Sequence, residues 1–396
     1  MHFEPSAEDR VFRDELRAWL AANWPEDWAR VRGRFASQDE QFAFLRQWQR
    51  RLRDAGWVGL QWPREYGGRG ATIMQQAIFY EETARARAPE LPNVIGLDMA
   101  GPALIAHGTD AQKRAHLPKI LSAEEIFCQG FSEPDAGSDL AALQTRAVRD
   151  GDHLVVNGQK VWTTYAQYAE WCILLARTDP AAPRHRGLTF LLVDMRSPGL
   201  SVRPLRQISG EPEFNEMFFD NVRVPLENVV GRVHGGWEVA ITTLMFERGP
   251  RTISRQLHLR HAIDAALEMA RRIERGGAPA ASDPVIRQRL AQLVIDGEAL
   301  RFSNLRALTR MLRGEPPGPE GSAAKLFWSE AVQRVLELML EIEGPHAMLA
   351  QGSARAIEDG FWQLRFLRSR GDTIAAGTSE INRNILGERV LGLPKD

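Results

Sequence analysis

Leu188-Thr189-Phe190-Leu191-Leu192-Val193 is an uninterrupted run of aliphatic, aromatic and β-branched residues, too short for a buried helix and free of charge. Cys172-Ile173-Leu174-Leu175 and Leu154-Val155-Val156 precede it, and Met217-Phe218-Phe219 follows. Between these runs stand turn signals: Asp150-Gly151-Asp152, Asn157-Gly158 and Ser197-Pro198-Gly199. Short apolar runs bounded by such turns read as strands connected by hairpins. Residues 124–234 are therefore expected to form an antiparallel β domain.

Outward from this block the period lengthens to that of helices. On the N-terminal side, Ser6 stands three residues before Asp9 in capping spacing, and Val11, Phe12, Leu16, Trp19 and Leu20 fall on one helical face. Further helices are expected over 39–55, 72–87 and 110–121, the last opened by Thr109 and Gln112 in capping-box spacing. Trp62-Pro63-Arg64-Glu65-Tyr66-Gly67-Gly68 reads as a loop. Beyond Gly235-Gly236, helices are expected over 236–274, 284–313, 321–342, 350–369 and 379–389, with loops at Gly276-Gly277-Ala278-Pro279 and Glu315-Pro316-Pro317-Gly318-Pro319. The fold class is α+β: an N-terminal helical domain (1–123), a middle antiparallel β domain (124–234) and a C-terminal helical bundle (235–396).

Composition removes several functions. Charged residues make up 26% and the 50 basic side chains balance 51 acidic ones, so no net field recruits nucleic acid or an anionic membrane. Only Cys128 and Cys172 occur, in no C-x-x-C pairing, which suits a reducing compartment and buried thiols. Neither a signal-like amino terminus nor an apolar run long enough to span a bilayer is apparent, so a cytoplasmic location is expected. Without a Gly-x-Gly-x-x-Gly after a strand, a Walker loop or His/Cys metal spacing, nicotinamide, nucleotide triphosphate and zinc chemistry are not indicated, and no metal site is expected.

Three polar segments remain. Phe131-Ser132-Glu133-Pro134-Asp135-Ala136-Gly137-Ser138-Asp139 has small residues that permit close backbone approach to a ligand, although its composition equally describes an ordinary turn. Val161-Trp162-Thr163-Thr164-Tyr165 places an indole and hydroxyls on one strand, where Trp162 by itself reads as core. Ala375-Ala376-Gly377-Thr378-Ser379-Glu380 opens the last helix, a position that suits an anion or a carbonyl and is also how most helices begin.

Together, in this order and layout, the three segments resemble those of the acyl-CoA dehydrogenase family over nearly the whole chain. The resemblance implies FAD as cofactor. It places Phe131, Ser132, Gly137 and Ser138 along flavin and acyl thioester, Trp162, Thr163 and Thr164 against the ring system, and Gly377, Thr378 and Ser379 on the flavin. It also implies removal of an α-proton by a carboxylate while the β-hydride passes to the flavin, with an acyl-CoA substrate and a separate electron-transfer acceptor.

Several positions depart from the family pattern. Ala376 stands where many members carry the catalytic carboxylate. Leu244-Met245-Phe246-Glu247-Arg248, however, resembles the helix segment where isovaleryl-type and long-chain-type members carry theirs, which makes Glu247 the candidate base. Arg248, with Ser138 and Ala376, is then a candidate substrate contact. Pro250 is expected to kink the helix just past Glu247. Ile273-Glu274-Arg275-Gly276-Gly277 and Glu341-Ile342-Glu343-Gly344-Pro345 do not reproduce the Arg-x-x-Phe-Gly and Gln-x-x-Gly-Gly segments that reach a neighbouring subunit's pyrophosphate, and acids there are expected to repel it. A two-subunit assembly with a second chain of the same family follows, similar to members that degrade sterol side chains. The expected activity is dehydrogenation of a bulky or branched acyl-CoA, steroid-like or fatty. A flavin oxidase and a non-catalytic subunit completing a partner's site are the rival readings.

Overall fold

Local signals set the helix starts. In the computed structural model of the chain, which describes residues 5–24, 26–246, 252–315 and 318–394, Ser6 and Asp9 exchange backbone and side-chain hydrogen bonds and α1 (Ala7–Asn23) begins there. Next come α2 (Trp28–Val31), α3 (Gln38–Asp54), α4 (Ile73–Arg85) and α5 (Gly101–His107). The helix α6 (Asp110–Leu121) opens on the expected Thr109–Gln112 capping box. Such reciprocal caps satisfy two otherwise orphaned N–H groups. No period in the sequence marks α5, which is entered through a π-helical turn at Gly96–Ala100, because Gly96, Gly101 and Pro102 interrupt its apolar pattern.

The apolar runs become strands: β1 (Phe127–Gly130), β2 (Arg146–Asp150), β3 (His153–Thr164), β4 (Trp171–Arg177), β5 (Leu188–Asp194), β6 (Leu200–Leu205), β7 (Phe214–Pro225) and β8 (Val229–Val230). They form one sheet in the order β6-β7-β3-β2-β4-β5-β8, with β1 beside β4. The pairings are antiparallel except that β1, and one bridge of β2, run parallel to β4. Both parallel contacts belong to strands that reach β4 through long connections rather than hairpins.

Past the sheet, the described helical residues of the helix expected over 236–274 are α7 (Gly236–Phe246) and α8 (Thr252–Arg272). Glu247, Arg248 and the expected Pro250 kink lie outside the described residues. A Cβ at Gly236 would sit 2.5 Å from the backbone nitrogen of Phe190, so glycine lets α7 start hard against β5. The chain continues through a small hairpin of β9 (Glu274–Arg275) and β10 (Ala278–Pro279), then α9 (Pro284–Leu312), α10 (Glu320–Glu343), α11 (Phe361–Ser369) and α12 (Ser379–Arg389). The helix expected from 350 begins only at Phe361, because Glu358, Asp359 and Gly360 take φ of 48°, 55° and 73°, values no right-handed helix contains.

Two compact units result: Met1–Gly33 and Thr72–Ala88 with Arg248–Asp396, and Arg34–Ala71 with Pro89–Glu247. In the first, Leu259 and Ile263 of α8, Leu290 and Leu293 of α9, and Val335 and Met339 of α10 share one core, and α4 packs on α1 and α8. Glu82 of α4, buried, accepts from Arg13 at 2.5 Å and Arg17 at 2.7 Å of α1. In the second unit the sheet buries Val156, Leu174, Leu191 and Met217, and α7 packs on α5 and β5.

Candidate functional site

The segment Phe131–Asp139 leaves β1 as a tight turn. Glu133 and Ala136 exchange both backbone hydrogen bonds at 3.1 Å, which throws Pro134 and Asp135 outward at the tip. Gly137 and Ser138 are exposed, and a Cβ at Gly137 would meet nothing within 4 Å, so the backbone here is open to a ligand. Phe131 instead turns inward, edge-on to Phe190. Ser132 is half-buried and its carbonyl accepts the Val161 N–H at 2.9 Å, which stitches the segment to β3.

At that point β3 bulges. Its register with β7 slips between Lys160↔Met217 and Thr163↔Asn215, so Val161 and Trp162 together face one residue of β7. Trp162 takes φ +63° and stands 60% exposed, ring edge-on to Phe214 at 6.1 Å. A bulky side chain in the left-handed region carries a cost of about 1–3 kcal/mol, and such strain concentrates at functional sites. The local reading of Trp162 as core is thus corrected: the bulge turns it outward. Thr163 is buried, with its hydroxyl and Asn215 Oδ1 unpartnered among the described residues, while its backbone carbonyl accepts from Asn215 Nδ2 at 3.0 Å. Thr164 is half-buried at the strand end.

Beneath both segments lies a feature that no local pattern reveals. Lys160 is fully buried and donates to Glu133 at 2.8 Å and to the Phe131 carbonyl at 2.9 Å. The Glu133 carboxylate also accepts the N–H groups of Gln144 at 2.6 Å and Thr145 at 2.8 Å. Burial drives the ammonium of Lys160 down to about 8 in spite of Glu133. Burial likewise pushes Glu133 up, but the Lys160 charge and the hydrogen bonds outweigh it and leave the carboxyl below its ordinary value.

The third segment belongs to the other compact unit. Ala376 and Gly377 take φ of 55° and 86°, turning the chain into Thr378, whose Oγ1 accepts the Ile381 N–H and caps α12. Lys325 Nζ at 2.7 Å and Asn382 Nδ2 at 2.8 Å both donate to the Gly377 carbonyl. Thr378 and Ser379 line a cleft of about 510 Å³ bounded by Glu330, Arg334 and Glu337 of α10 and Arg383 of α12. Ala376 is exposed and offers no ionisable group at this turn.

The segments expected to face a neighbour's pyrophosphate have their own engagements. Ile273–Gly277 runs into the β9–β10 hairpin, turning on Gly276 and Gly277. Glu341 pairs with Arg289 of α9. Glu343 is 2% exposed and accepts from Gln363 Nε2 at 2.6 Å, while its Oε1 and the Gln363 Oε1 have no partner among the described residues. Burial, with the charge of Glu358, pushes its carboxyl up to about 7 against Gln363 and Arg272. The two acids therefore act within their own helical unit: one is ion-paired and the other is sequestered.

Among the described residues no helix is long and apolar enough to cross a membrane. The chain matches the acyl-CoA dehydrogenase N-terminal domain over residues 6–124, the middle domain over 128–222 and the C-terminal domain over 234–391. It is 43% identical over 387 residues to acyl-CoA dehydrogenase IpdE1 of Mycobacterium tuberculosis (strain ATCC 25618 / H37Rv), across 97% of this chain and 98% of that protein. Among solved structures it resembles "Tcur3481-Tcur3483 steroid ACAD", with TM-score 0.87, 32% identity and all of both chains covered. The ChsE4-ChsE5 complex from Mycobacterium tuberculosis gives TM-score 0.83 and 32% identity with the same coverage. With three domain models matched in order around an outward-turned Trp162, the chain belongs to the acyl-CoA dehydrogenase family, whose members are FAD-dependent.

Proposed function

We propose that this chain is the base-bearing subunit of an FAD-dependent dehydrogenase that introduces an α,β double bond into a bulky or branched acyl-CoA, steroid side-chain-like or fatty. Trp162 carries the reading: a strained, exposed indole on a bulge, beside a stitched loop of small residues, fits a planar ring stacked upon it. The steroid assignment is supported by the likeness to the Tcur3481-Tcur3483 steroid ACAD, and the two-chain assembly by the likeness to the ChsE4-ChsE5 complex. That 273–277 and 341–345 do not reproduce the Arg-x-x-Phe-Gly and Gln-x-x-Gly-Gly segments supports the same assembly.

FAD, when bound, supplies the acceptor for the β-hydride. The chain's own residues do the rest: Trp162 offers a flat face, Ser138 and Thr164 offer hydroxyl donors, and the Gly377–Ser379 turn offers capped backbone. Glu247 takes the α-proton on a carboxylate oxygen as the double bond forms. Ala376 cannot serve this role, having no group that accepts a proton.

Anaerobic addition of steroid side-chain, branched and linear acyl-CoAs to the protein purified with its partner chain tests the reading. Bleaching of the visible flavin band by a bulky acyl-CoA is expected. No bleaching by any of them contradicts dehydrogenation and favours an accessory subunit. Oxygen consumption without an added electron acceptor would instead identify an oxidase.

A further inference from the structure

Lys160 is an ammonium with no exposed surface, on a strand whose other buried residues, Leu154, Val156, Val161 and Thr163, carry no charge. Burying an ion pair costs several kcal/mol of desolvation per ion, and an apolar pair of equal volume is often as stable. Fold stability alone therefore does not account for the pair, but its geometry does. Through Lys160, strand β3 grips Phe131 by its carbonyl and Glu133 by its carboxylate, and Glu133 in turn grips the backbone of Gln144 and Thr145. The near end of the exposed stretch that carries Gly137 and Ser138 is thus held by Lys160 Nζ directly and the far end through the Glu133 carboxylate. Trp162 lies two residues further along the same strand, on the bulge, and the Val161 N–H between them binds the Ser132 carbonyl.

We propose that the buried Lys160–Glu133 pair is a positioning device that sets the loop 132–139 against Trp162, so that the ring-binding face is preorganised before the flavin arrives. The inference rests on the flavin reading above. Lys160 and Glu133 act through the backbone they hold and are positioning residues, with no part in the reaction itself. Loosely held ligand-touching residues are the common failure of an otherwise complete site, because an error of about 1 Å suffices to lose it.

The test uses the complete two-chain protein. The double variant Lys160→Met/Glu133→Gln removes both charges at near-constant volume, and Glu133→Asp keeps the charge but shortens the arm by one methylene. Thermal midpoints, FAD dissociation constants and the visible absorption envelope are measured for each. The expected result is a midpoint near that of the wild type, FAD binding weakened by about tenfold or more, and an altered envelope. If the double variant does not fold, the same comparison is decided on Glu133→Asp. Wild-type FAD affinity and envelope in a variant of wild-type stability overturn the inference while leaving the flavin reading intact. Failure of the wild type itself to bind FAD overturns the flavin reading first.

Discussion

At the scale of single residues, Trp162 and Glu343 hold their conformations against an intrinsic cost. Trp162 keeps φ +63° with most of its ring in solvent, so neither backbone preference nor burial explains it. Trp162→Gly relieves the backbone strain, and the variant is expected to be as stable as the wild type or more so, by up to about 1 kcal/mol, while FAD affinity falls. Calorimetry and flavin titration on one preparation check both halves. Glu343 is a titration experiment in itself. Its carboxyl is raised to about 7 in the fold from 4.5, so its contribution to stability is complete below the unfolded value and is lost as pH climbs through about 7. Glu343→Gln cannot ionise, so its unfolding free energy is expected to gain on the wild type between about pH 5 and pH 8, by on the order of 1–2 kcal/mol, and to show no gain at pH 4.5, as denaturant titration across pH would show. A pH-independent difference between the two proteins counts against the buried carboxyl. The sequence singles out Trp162 through the family resemblance, but neither its outward conformation nor the burial of Glu343 was legible from it. The exposure of Trp162 depends on a register slip against β7, and the burial of Glu343 on Gln363 twenty residues away.

The elements that could be read from the sequence are those whose signals are local. The capping boxes at Ser6–Asp9 and Thr109–Gln112 start α1 and α6 where the spacing indicates, and the Gly377-Thr378-Ser379 turn opens α12 at Ser379 as expected. What failed was long-range or conformationally rare: α5 behind its glycines, the left-handed run Glu358–Gly360 that delays α11, and the Lys160–Glu133 tether between residues 27 apart. The start of α12 yields an expectation at its own scale. Thr378→Ala removes the side-chain cap on Ile381 and is expected to cost about 1 kcal/mol of stability. Hydrogen exchange should locate the loss in the first turn of α12. The Lys325 and Asn382 bonds to Gly377 keep the turn itself in place, so uniformly raised exchange across α8–α10 contradicts a local cap.

For the whole molecule, chain order and spatial order differ. Helices α1 and α4, early in sequence, pack with the C-terminal helices, whereas α3, α5 and α6 belong with the sheet. Periodicity reveals the helical, β, helical succession but cannot reveal which helices share a core, because an amphipathic stripe does not name its partner. The two-chain assembly is tested at this scale. Expressed alone, the chain is expected to carry substoichiometric FAD and to gain full occupancy and a higher thermal midpoint with its partner chain, since a ligand that binds only the folded state stabilises it. Full flavin loading as a homo-oligomer, shown by absorbance ratio and sedimentation, contradicts it. The central claim is that an acyl-CoA loses its α-proton to Glu247. The most direct measurement is single-turnover flavin reduction under anaerobic conditions, with a bulky acyl-CoA, for the wild type and Glu247→Gln in complex with the partner chain. The expected result is equal FAD content and a reduction rate about 10²- to 10⁴-fold lower in the variant, as befits loss of a positioned general base. A variant that reduces its flavin at the wild-type rate contradicts the account.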